Sequence, residues 1–187
     1  MAKIPAAHPL SQIIYEGVLE MPPWKTLLKC LEDFMQVPSA TLVLRRPQTQ
    51  DPGLTLYLYA ESDTGALRAF QSRGYQDSPF AGLPEKKVFT LHERVPRAEL
   101  ESLDFGAYLQ DHAVTDLMGF DVYERQSLIR LRLRLVRIGD APPFSASDRQ
   151  RLEGLIPLMD NALTLYSAYT HNRFIEQLYE ELLGSMG

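Results

Sequence analysis

The stretch SLIRLRLRLV, residues 127–136, carries the clearest secondary-structure pattern in the chain. From Arg130 onward, arginine and leucine alternate, and this period of two is that of a β-strand whose faces meet different surroundings. One face holds Leu131, Leu133 and Leu135, and the other holds Arg130, Arg132 and Arg134. We therefore predict a strand that buries its leucine face and leaves its arginine face polar.

Three further segments fit the same sheet. Residues 40–46 and 54–60 alternate on either side of a polar turn, and residues 117–123 precede the arginine strand at the distance of a hairpin. Residues 88–91 form a shorter candidate strand. The segments are close together in sequence, which predicts antiparallel pairing.

The spacing of apolar residues predicts helices on both sides of the strands. The predicted helices run from Pro9 to Val18, from Trp24 to Met35, from Gly65 to Gln71, from Pro96 to Ala113 and over 144–183. Pro157 is expected to kink or restart the last of them. The order of elements predicts an α+β fold, an antiparallel PAS/GAF-like sheet with helices on its faces and a long C-terminal helix.

Composition limits the class of protein. The chain has 187 residues, a net charge of -5 and a single cysteine, Cys30. This length predicts one domain, placed here at 1–183 with a short tail at 184–187. The acidic balance argues against direct nucleic-acid binding. No secretory signal and no apolar run of membrane-spanning length is visible, so we expect a cytoplasmic protein without a membrane segment.

Aromatic side chains are concentrated in the central elements, where several of them are candidates for lining one ligand pocket beside the sheet. The candidate pocket residues are Tyr57, Tyr59, Phe70, Tyr75, Phe80, Phe105, Tyr108, Met118 and Phe120. The alternative is that these side chains fill the core. Arg132 and Arg134 join the candidates because forked guanidinium donors suit an anionic ligand. Their alternative role is a solvated sheet face balanced by acidic neighbours.

No catalytic or metal-binding pattern is visible in the sequence. The chain has no glycine-rich phosphate loop and no nucleophile elbow. Its histidines are scattered, and none has a second histidine at metal-ligand spacing on a helix. We therefore expect no catalytic residue, no metal and no cofactor, and we interpret the chain as a non-enzyme.

The long C-terminal helix predicts a homodimer, since one small domain cannot cover its whole apolar face. The candidate dimerisation residues are Leu163, Tyr166, Phe174, Leu178 and Leu182. The alternative is that this helix folds back against the first two helices.

Several short motifs, taken in order, resemble the amino-terminal sensor domains of LuxR-type transcriptional regulators. The matching segments are Tyr15-Glu16 through Trp24 with Leu27, Leu28 and Leu31, then Tyr75–Phe80, Asp116–Gly119, Arg137 with Pro143–Asp148, and Leu155–Met159 with Ala162-Leu163. The resemblance spans nearly the whole chain. The sequence departs from the family pattern at Leu158, where histidine is common, and at Ser78, which separates an aspartate from a proline.

This resemblance implies a function. Such a domain binds a small molecule and signals through its C-terminal helix to a DNA-binding output unit, and no helix-turn-helix is visible here. We therefore expect a ligand-sensing regulatory domain of a bacterial transcriptional regulator. The alternative is a ligand-free dimerisation module of a signalling protein.

Overall fold

The computed structural model describes residues 7–45, 54–59, 83–100 and 103–185. The described strands are β1 (Ser39–Arg45), β2 (Leu54–Tyr59), β3 (Phe89–Thr90), β4 (Val114–Glu124) and β5 (Ile129–Ile138). The described helices are α1 (Ala7–Glu16), α2 (Lys25–Met35), α3 (Leu91–Arg94), α4 (Arg97–Leu100), α5 (Asp104–Asp111), α6 (Ala146–Glu153) and α7 (Ile156–Ser185). The predicted helix at Gly65–Gln71 lies outside the described residues.

The strands form one antiparallel sheet in the order β2-β1-β5-β4-β3. The arginine strand, β5, is therefore central, and it pairs with β1 on one side and β4 on the other. The predicted α+β fold with an antiparallel sheet and a long C-terminal helix is confirmed.

The leucine face of β5 lies in the main hydrophobic core. Leu131, Leu133 and Leu135 have no exposed surface, and the register places Leu42 of β1 and Phe120 of β4 beside Leu133. Helices α1, α2 and α7 contribute many of the other buried residues of this core. This arrangement follows from the alternation in the sequence, because only one face of the strand is apolar.

Trp24 connects the amino-terminal helices to α7. Its side chain is fully buried, and its Nε1 donates a hydrogen bond to the carbonyl of Ile14 at 2.9 Å. Its ring centroid lies 5.2 Å from that of Tyr166 on α7. A Cβ atom on Gly17 would lie 2.6 Å from Trp24 Cδ1, so the indole packs where only a glycine leaves room.

A second, smaller core covers one end of the opposite sheet face. Its buried residues are Leu83, Leu91, Phe105, Leu109 and Leu117. Leu117 pairs with Val136 at the end of β5, and α3 and α5 supply the covering side chains. The second face of the sheet is thus apolar at this end and charged further along β5.

The connection from β5 to α6 is held by a buried arginine. Arg137 Nη1 donates to the carbonyl of Pro142 at 2.8 Å, and Nη2 donates to Asp148 Oδ2 at 3.1 Å. The guanidinium lies 4.5 Å from the ring centroid of Phe144, whose N–H donates to Asp116 Oδ2 at 2.9 Å. These contacts fix the direction in which the chain leaves the sheet towards α6 and α7.

Each of two long predicted helical segments is divided into two helices in the structure. The segment Pro96–Ala113 is not one helix, because α4 ends at Leu100 and α5 begins at Asp104. The long C-terminal helix is interrupted as Pro157 suggested, since α6 ends at Glu153 and α7 restarts at Ile156. The proline then occupies the first turn, where its missing N–H costs no helical hydrogen bond. Helix α7 also continues into the predicted tail, to Ser185.

Within the described ranges, no helix combines the length and the apolar character that a membrane span needs.

The β4–β5 turn is attached to α7 by Glu124. Its carboxylate accepts hydrogen bonds from Ser127 Oγ at 2.5 Å, from the N–H groups of Ser127 and Gln126, and from Ser167 Oγ on α7 at 3.2 Å. Burial raises the pKa of Glu124, but these hydrogen bonds outweigh it and lower the pKa to about 2. The ionised carboxylate thus stabilises the turn and its contact with the helix.

We expect Glu124→Gln to lower the free energy of unfolding at pH 7 by about 1 kcal/mol, since the site is partly open to solvent. The folded pKa lies below the ordinary value, so the contribution is present above pH 4.5 and is lost as the pH falls towards about 2. Urea unfolding of both proteins at several pH values measures this difference. An equal difference at neutral and at strongly acidic pH would contradict the interpretation. Ser167→Ala isolates the part due to α7.

Candidate functional site

The second face of the sheet carries the charged residues that the sequence singled out. The register places Arg132 of β5 beside Val43 of β1 and Asp121 of β4, and Arg134 beside Thr41 and Gly119. We call this surface the arginine face of the sheet. It lies opposite the main core, so helices α1, α2 and α7 do not cover it.

Asp121 lies at the centre of the arginine face. Its side chain has no exposed surface, whereas the side chains of Arg132 and Arg134 are 17% and 13% exposed. Asp121 Oδ1 accepts a hydrogen bond from Arg134 Nη2 at 2.5 Å, and its Oδ2 lies 3.4 Å from Arg132 Nε. The carboxylate is thus held between two guanidinium groups without contact with water.

Arg134 lies flat across its neighbouring strand. Its Nη1 donates to the carbonyls of Phe120 at 2.8 Å and Leu133 at 2.9 Å. A Cβ atom on Gly119 would lie 2.6 Å from Arg134 Cδ and 2.2 Å from the carbonyl oxygen of Leu133. The absence of a side chain at Gly119 therefore leaves the space that the Arg134 side chain occupies. This close approach explains why a glycine stands in the middle of a long strand.

Arg130 extends the face at the hairpin end of β5. Its guanidinium carbon lies 5.7 Å from the ring centroid of Tyr123, the residue opposite it on β4. The register also places Arg45 of β1 beside it. The arginine face is therefore rich in positive charge along its length, with the Asp121 carboxylate at its centre.

The structure places the predicted pocket residues in several different locations. Tyr57 and Tyr59 occupy register positions that belong to the arginine face, because Tyr57 pairs with Thr41 and Tyr59 with Ser39. Phe105 is buried in the smaller core on this side of the sheet. Tyr108 lies in α5. Phe70, Tyr75 and Phe80 lie outside the described residues.

Met118 and Phe120 require a correction. Both are fully buried, but they lie in the main core on the leucine side of the sheet. Their strand positions pair with Leu135 and Leu133, not with the arginines. The sheet separates them from Arg132 and Arg134, so these four residues do not line one shared cavity.

Asp121 was not among the site residues predicted from the sequence. The signal was its place in a hairpin strand, two residues after a glycine and opposite the alternating arginines. Reading the hairpin register from the sequence places an acidic side chain among the arginines.

The candidate dimerisation residues include both buried and exposed side chains of α7. Leu163 is 1% exposed in the main core, and Tyr166 packs against Trp24, so the prediction is corrected for both. Phe174 and Leu178 are 57% and 39% exposed. Leu182 lies in the same part of α7, but its side chain is not among those described.

Residues 83–88, which we call the edge segment, pass from one sheet face to the other. Leu83 lies in the smaller core and Val88 in the main core. Between them, the N–H of Lys86 donates to the carbonyl of Asp121 at 2.8 Å, and Lys86 Nζ forms an ion pair with Asp160 of α7 at 2.8 Å. The segment thus joins the strand residue at the centre of the arginine face to the C-terminal helix.

A separate groove contains none of the predicted site residues. A groove of about 470 Å³ opens between α3, α5 and the β5–α6 connection, and its lining includes His92, Gln110 and Asp140. Within the described ranges, no three side chains of histidine, cysteine, aspartate or glutamate come together as a metal site.

Comparison with solved structures places this geometry in a known fold. The ligand-binding domain (LBD) of VqsR from Pseudomonas aeruginosa superposes with a TM-score of 0.63 at 17% identity, covering 87% of this chain and 96% of that one. CepR2 from Burkholderia cenocepacia, an N-acylhomoserine lactone dependent LuxR family transcription factor, gives 0.56 at 14% identity over 86% and 95%. The chain has the fold of a LuxR-type ligand-binding domain.

SdiA from Escherichia coli extends the comparison, with a TM-score of 0.56 at 11% identity over 89% of this chain and 69% of that chain. No protein-family model and no curated protein matches the sequence. The resemblance to LuxR-type sensor domains is thus confirmed at the level of the fold.

We expect Gly119→Ala to destabilise the domain by about 1–3 kcal/mol, because the added methyl group meets a backbone oxygen and forces Arg134 from its path. Urea unfolding measures the loss. Gly154→Ala is the matched control, since Gly154 has a right-handed helical conformation and its nearest neighbour would lie at 3.4 Å. Equal stabilities of the two variants would contradict the role given to Gly119.

Proposed function

We propose that this chain is the ligand-sensing domain of a cytoplasmic bacterial transcriptional regulator and that it binds a small molecule on the arginine face of the sheet. The observation that carries the proposal is the carboxylate of Asp121, held between Arg132 and Arg134 without exposure to water. The fold, shared with ligand-binding domains of regulators, supports it.

A charged centre of this kind is costly for a surface that serves only packing. Taking Asp121 and its arginines out of water costs several kcal/mol per ion, and an apolar packing of similar volume is often as stable or more stable. The leucine face of the same strand shows that apolar packing is available to this sheet. The charged centre therefore fits recognition of a polar ligand group better than it fits stabilisation.

The edge segment offers a route from the ligand to the C-terminal helix. A ligand that moves Asp121 also moves the strand carbonyl that accepts the hydrogen bond from Lys86. The side chain of Lys86 is paired with Asp160, which lies on α7 near its start. Binding at the arginine face thereby shifts the population of α7 positions, provided the ligand prefers one of them.

Helix α7 supplies the proposed dimer contact beyond its buried part. After Thr170, every described side chain of the helix is exposed, and residues 171–185 extend about 22 Å at 1.5 Å per residue. At about 100° per residue, the mean direction of the apolar side chains here lies about 160° from the mean direction of those that enter the core. They are Phe174, Ile175, Leu178, Tyr179 and Leu183.

The opposite side of the same helical end is polar. It carries Arg173, Glu176, Gln177, Glu180 and Glu181, all exposed. The apolar side therefore faces away from the direction of the chain's own core, and a second copy of the helix is the partner that we propose for it. If the arginine face takes no ligand, this same surface makes a ligand-free dimerisation module the second candidate function.

We expect a ligand of the arginine face to raise the melting temperature by several degrees, since saturation at a hundredfold the Kd adds about 2.7 kcal/mol. Differential scanning fluorimetry is run against N-acylhomoserine lactones, octanoyl-rac-glycerol, aromatic acids and cyclic nucleotides. Arg132→Gln should abolish the shift. Arg125→Gln, at a side chain that is 82% exposed on the hairpin turn, should retain it. A flat response across the panel would reject the ligand and favour the dimerisation module.

We expect Leu178→Glu to weaken the dimer at least tenfold, because it places a charge in the apolar side of the helical end. Gln177→Glu adds the same charge on the polar side and should leave the dimer intact. Sedimentation equilibrium over a range of concentrations measures both. The melting temperature of the isolated monomer should not differ between the two variants, because both positions lie beyond the buried part of α7. A monomeric wild-type protein would refute this dimer.

A further inference from the structure

We infer that the groove between α3, α5 and the β5–α6 connection is a second ligand site, and that it binds a small organic cation, an ammonium group carried by a compact apolar body. The groove is separate from the arginine face, so the inference does not depend on the ligand proposed there. It rests on the size of the groove, on its apolar lining and on the sign of the charge at its rim.

The groove has the size and the lining of a small-molecule site. Its volume of about 470 Å³ lies within the range of known ligand pockets. Its lining includes four branched apolar side chains, each buried or half-buried, and two prolines of the connection. They are Leu91, Leu100, Leu109, Val114, Pro142 and Pro143. A fused-ring body that settles on these side chains removes apolar surface from water on both partners, which favours binding.

A β-bulge lies at the groove. The register of β4 shifts between Val114 and Asp116, so Thr115 is an extra residue in that strand. Bulges of this kind redirect a side chain. Thr115 lines the groove, and its Oγ1 donates to the carbonyl of Ala141 on the connection at 3.4 Å. The irregularity thus places a hydroxyl group in an otherwise apolar part of the lining, where it can help to orient a ligand.

The walls of the groove are held by contacts within the chain. Glu93 of α3 forms an ion pair with Arg149 of α6, and Arg149 Nη1 donates to the carbonyl of Val88 at 2.8 Å. On the connection, Arg137 Nη1 donates to the carbonyl of Pro142 at 2.8 Å. A site whose walls are fixed in this way loses little conformational freedom when a ligand binds, which favours affinity.

The charge at the rim favours a cation. The lining includes the exposed carboxylate of Asp140, and no lysine or arginine is among the described residues that line the groove. Helix α5 ends here, with Leu109 and Gln110 of its last turn in the lining and with no basic residue in that turn. The carboxyl end of a helix carries a partial negative charge, which attracts cations. The carboxylate and the helix end therefore act in the same direction.

These two sources of negative charge determine the class of ligand. An anionic group at the rim would be repelled by Asp140, whereas an ammonium group is attracted by it and by the end of α5. The rim is open to solvent, so the preference for a cation is moderate. The ligand class is therefore an arylalkyl ammonium compound, with its ring on the apolar lining and its ammonium group at the rim.

Three compounds with one ring system and one linker test the inference on the wild-type protein. Tryptamine carries an ammonium group, tryptophol a hydroxyl group and indole-3-propionate a carboxylate. Isothermal titration calorimetry at constant ionic strength measures binding at pH 8, where an ordinary histidine is neutral and His92 adds no positive charge to the lining. We expect tryptamine to bind about threefold to thirtyfold more tightly than tryptophol, and indole-3-propionate to bind most weakly.

Nuclear magnetic resonance locates the compound without any substitution. Backbone amides of the ¹⁵N-labelled protein are followed as tryptamine is added. The largest chemical-shift changes are expected at lining residues from both sides of the groove, such as Gln110, Gly139 and Ala141. Changes confined to β5 and β1 would place the compound on the arginine face and overturn the second site.

Two substitutions at the exposed rim test the charge. Asp140→Asn should lower the preference for tryptamine over tryptophol by about threefold. Gln110→Arg should weaken tryptamine and strengthen indole-3-propionate, because it adds a positive charge at the end of α5. Asp33→Asn is the matched control, since Asp33 is an exposed carboxylate on α2, which packs on the opposite face of the sheet. Arg132→Gln should leave tryptamine binding unchanged.

The outcomes decide the inference independently of the proposed function. It is wrong if none of the three compounds binds with a Kd below about 1 mM, or if all three bind equally tightly. It is also wrong if Asp140→Asn and Gln110→Arg both keep the wild-type preference, or if Asp33→Asn loses it. Loss of tryptamine binding in Arg132→Gln would assign the compound to the arginine face, which supports the proposed function and overturns the second site.

Discussion

The alternation of leucine and arginine along β5 is the constraint on which the rest of the structure depends. The strand is central, so each of its faces must be matched by two neighbouring strands and by whatever packs on them. A slip of one residue in the strand register would turn Arg132 and Arg134 towards the main core. The free energy needed to bury these charges without partners would exceed the stability of a small domain. Register, the side on which α1, α2 and α7 pack, and the location of the charged face all follow from this one pattern.

The sequence predicted those features that local periodicity determines. The alternation in β1, β2 and β5 identified the strands and the face to be buried, and the position of Pro157 identified the restart of the C-terminal helix. Prediction failed where long-range packing decides. Met118 and Phe120 have the aromatic and apolar character of pocket residues, but hairpin register, which single residue types do not reveal, assigns them to the main core. Asp121 was missed because its neighbours across the sheet define its role.

Several residues of the motifs that resemble LuxR-type sensor domains make contacts that hold elements of the fold together. Arg137 and Asp148 hold the exit from β5, together with the hydrogen bond between Asp116 and Phe144. Trp24 packs against Tyr166 and joins the amino-terminal helices to α7. These contacts maintain the shape of the domain without touching the arginine face, so the fold can be kept while the chemistry of that face changes.

The length of the exposed part of α7 converts a small tilt of the helix into a larger displacement of its far end. The helix is held at Asp160 by Lys86 and at Ser167 by Glu124, and it then continues unsupported for about 22 Å. A tilt of about 10° at its base would displace its far end by about 4 Å, more than the shifts of about 1–2 Å that helices undergo at allosteric subunit interfaces. An adjustment too small to disturb the sheet is thereby amplified at the end of the helix, where we propose that a second copy binds.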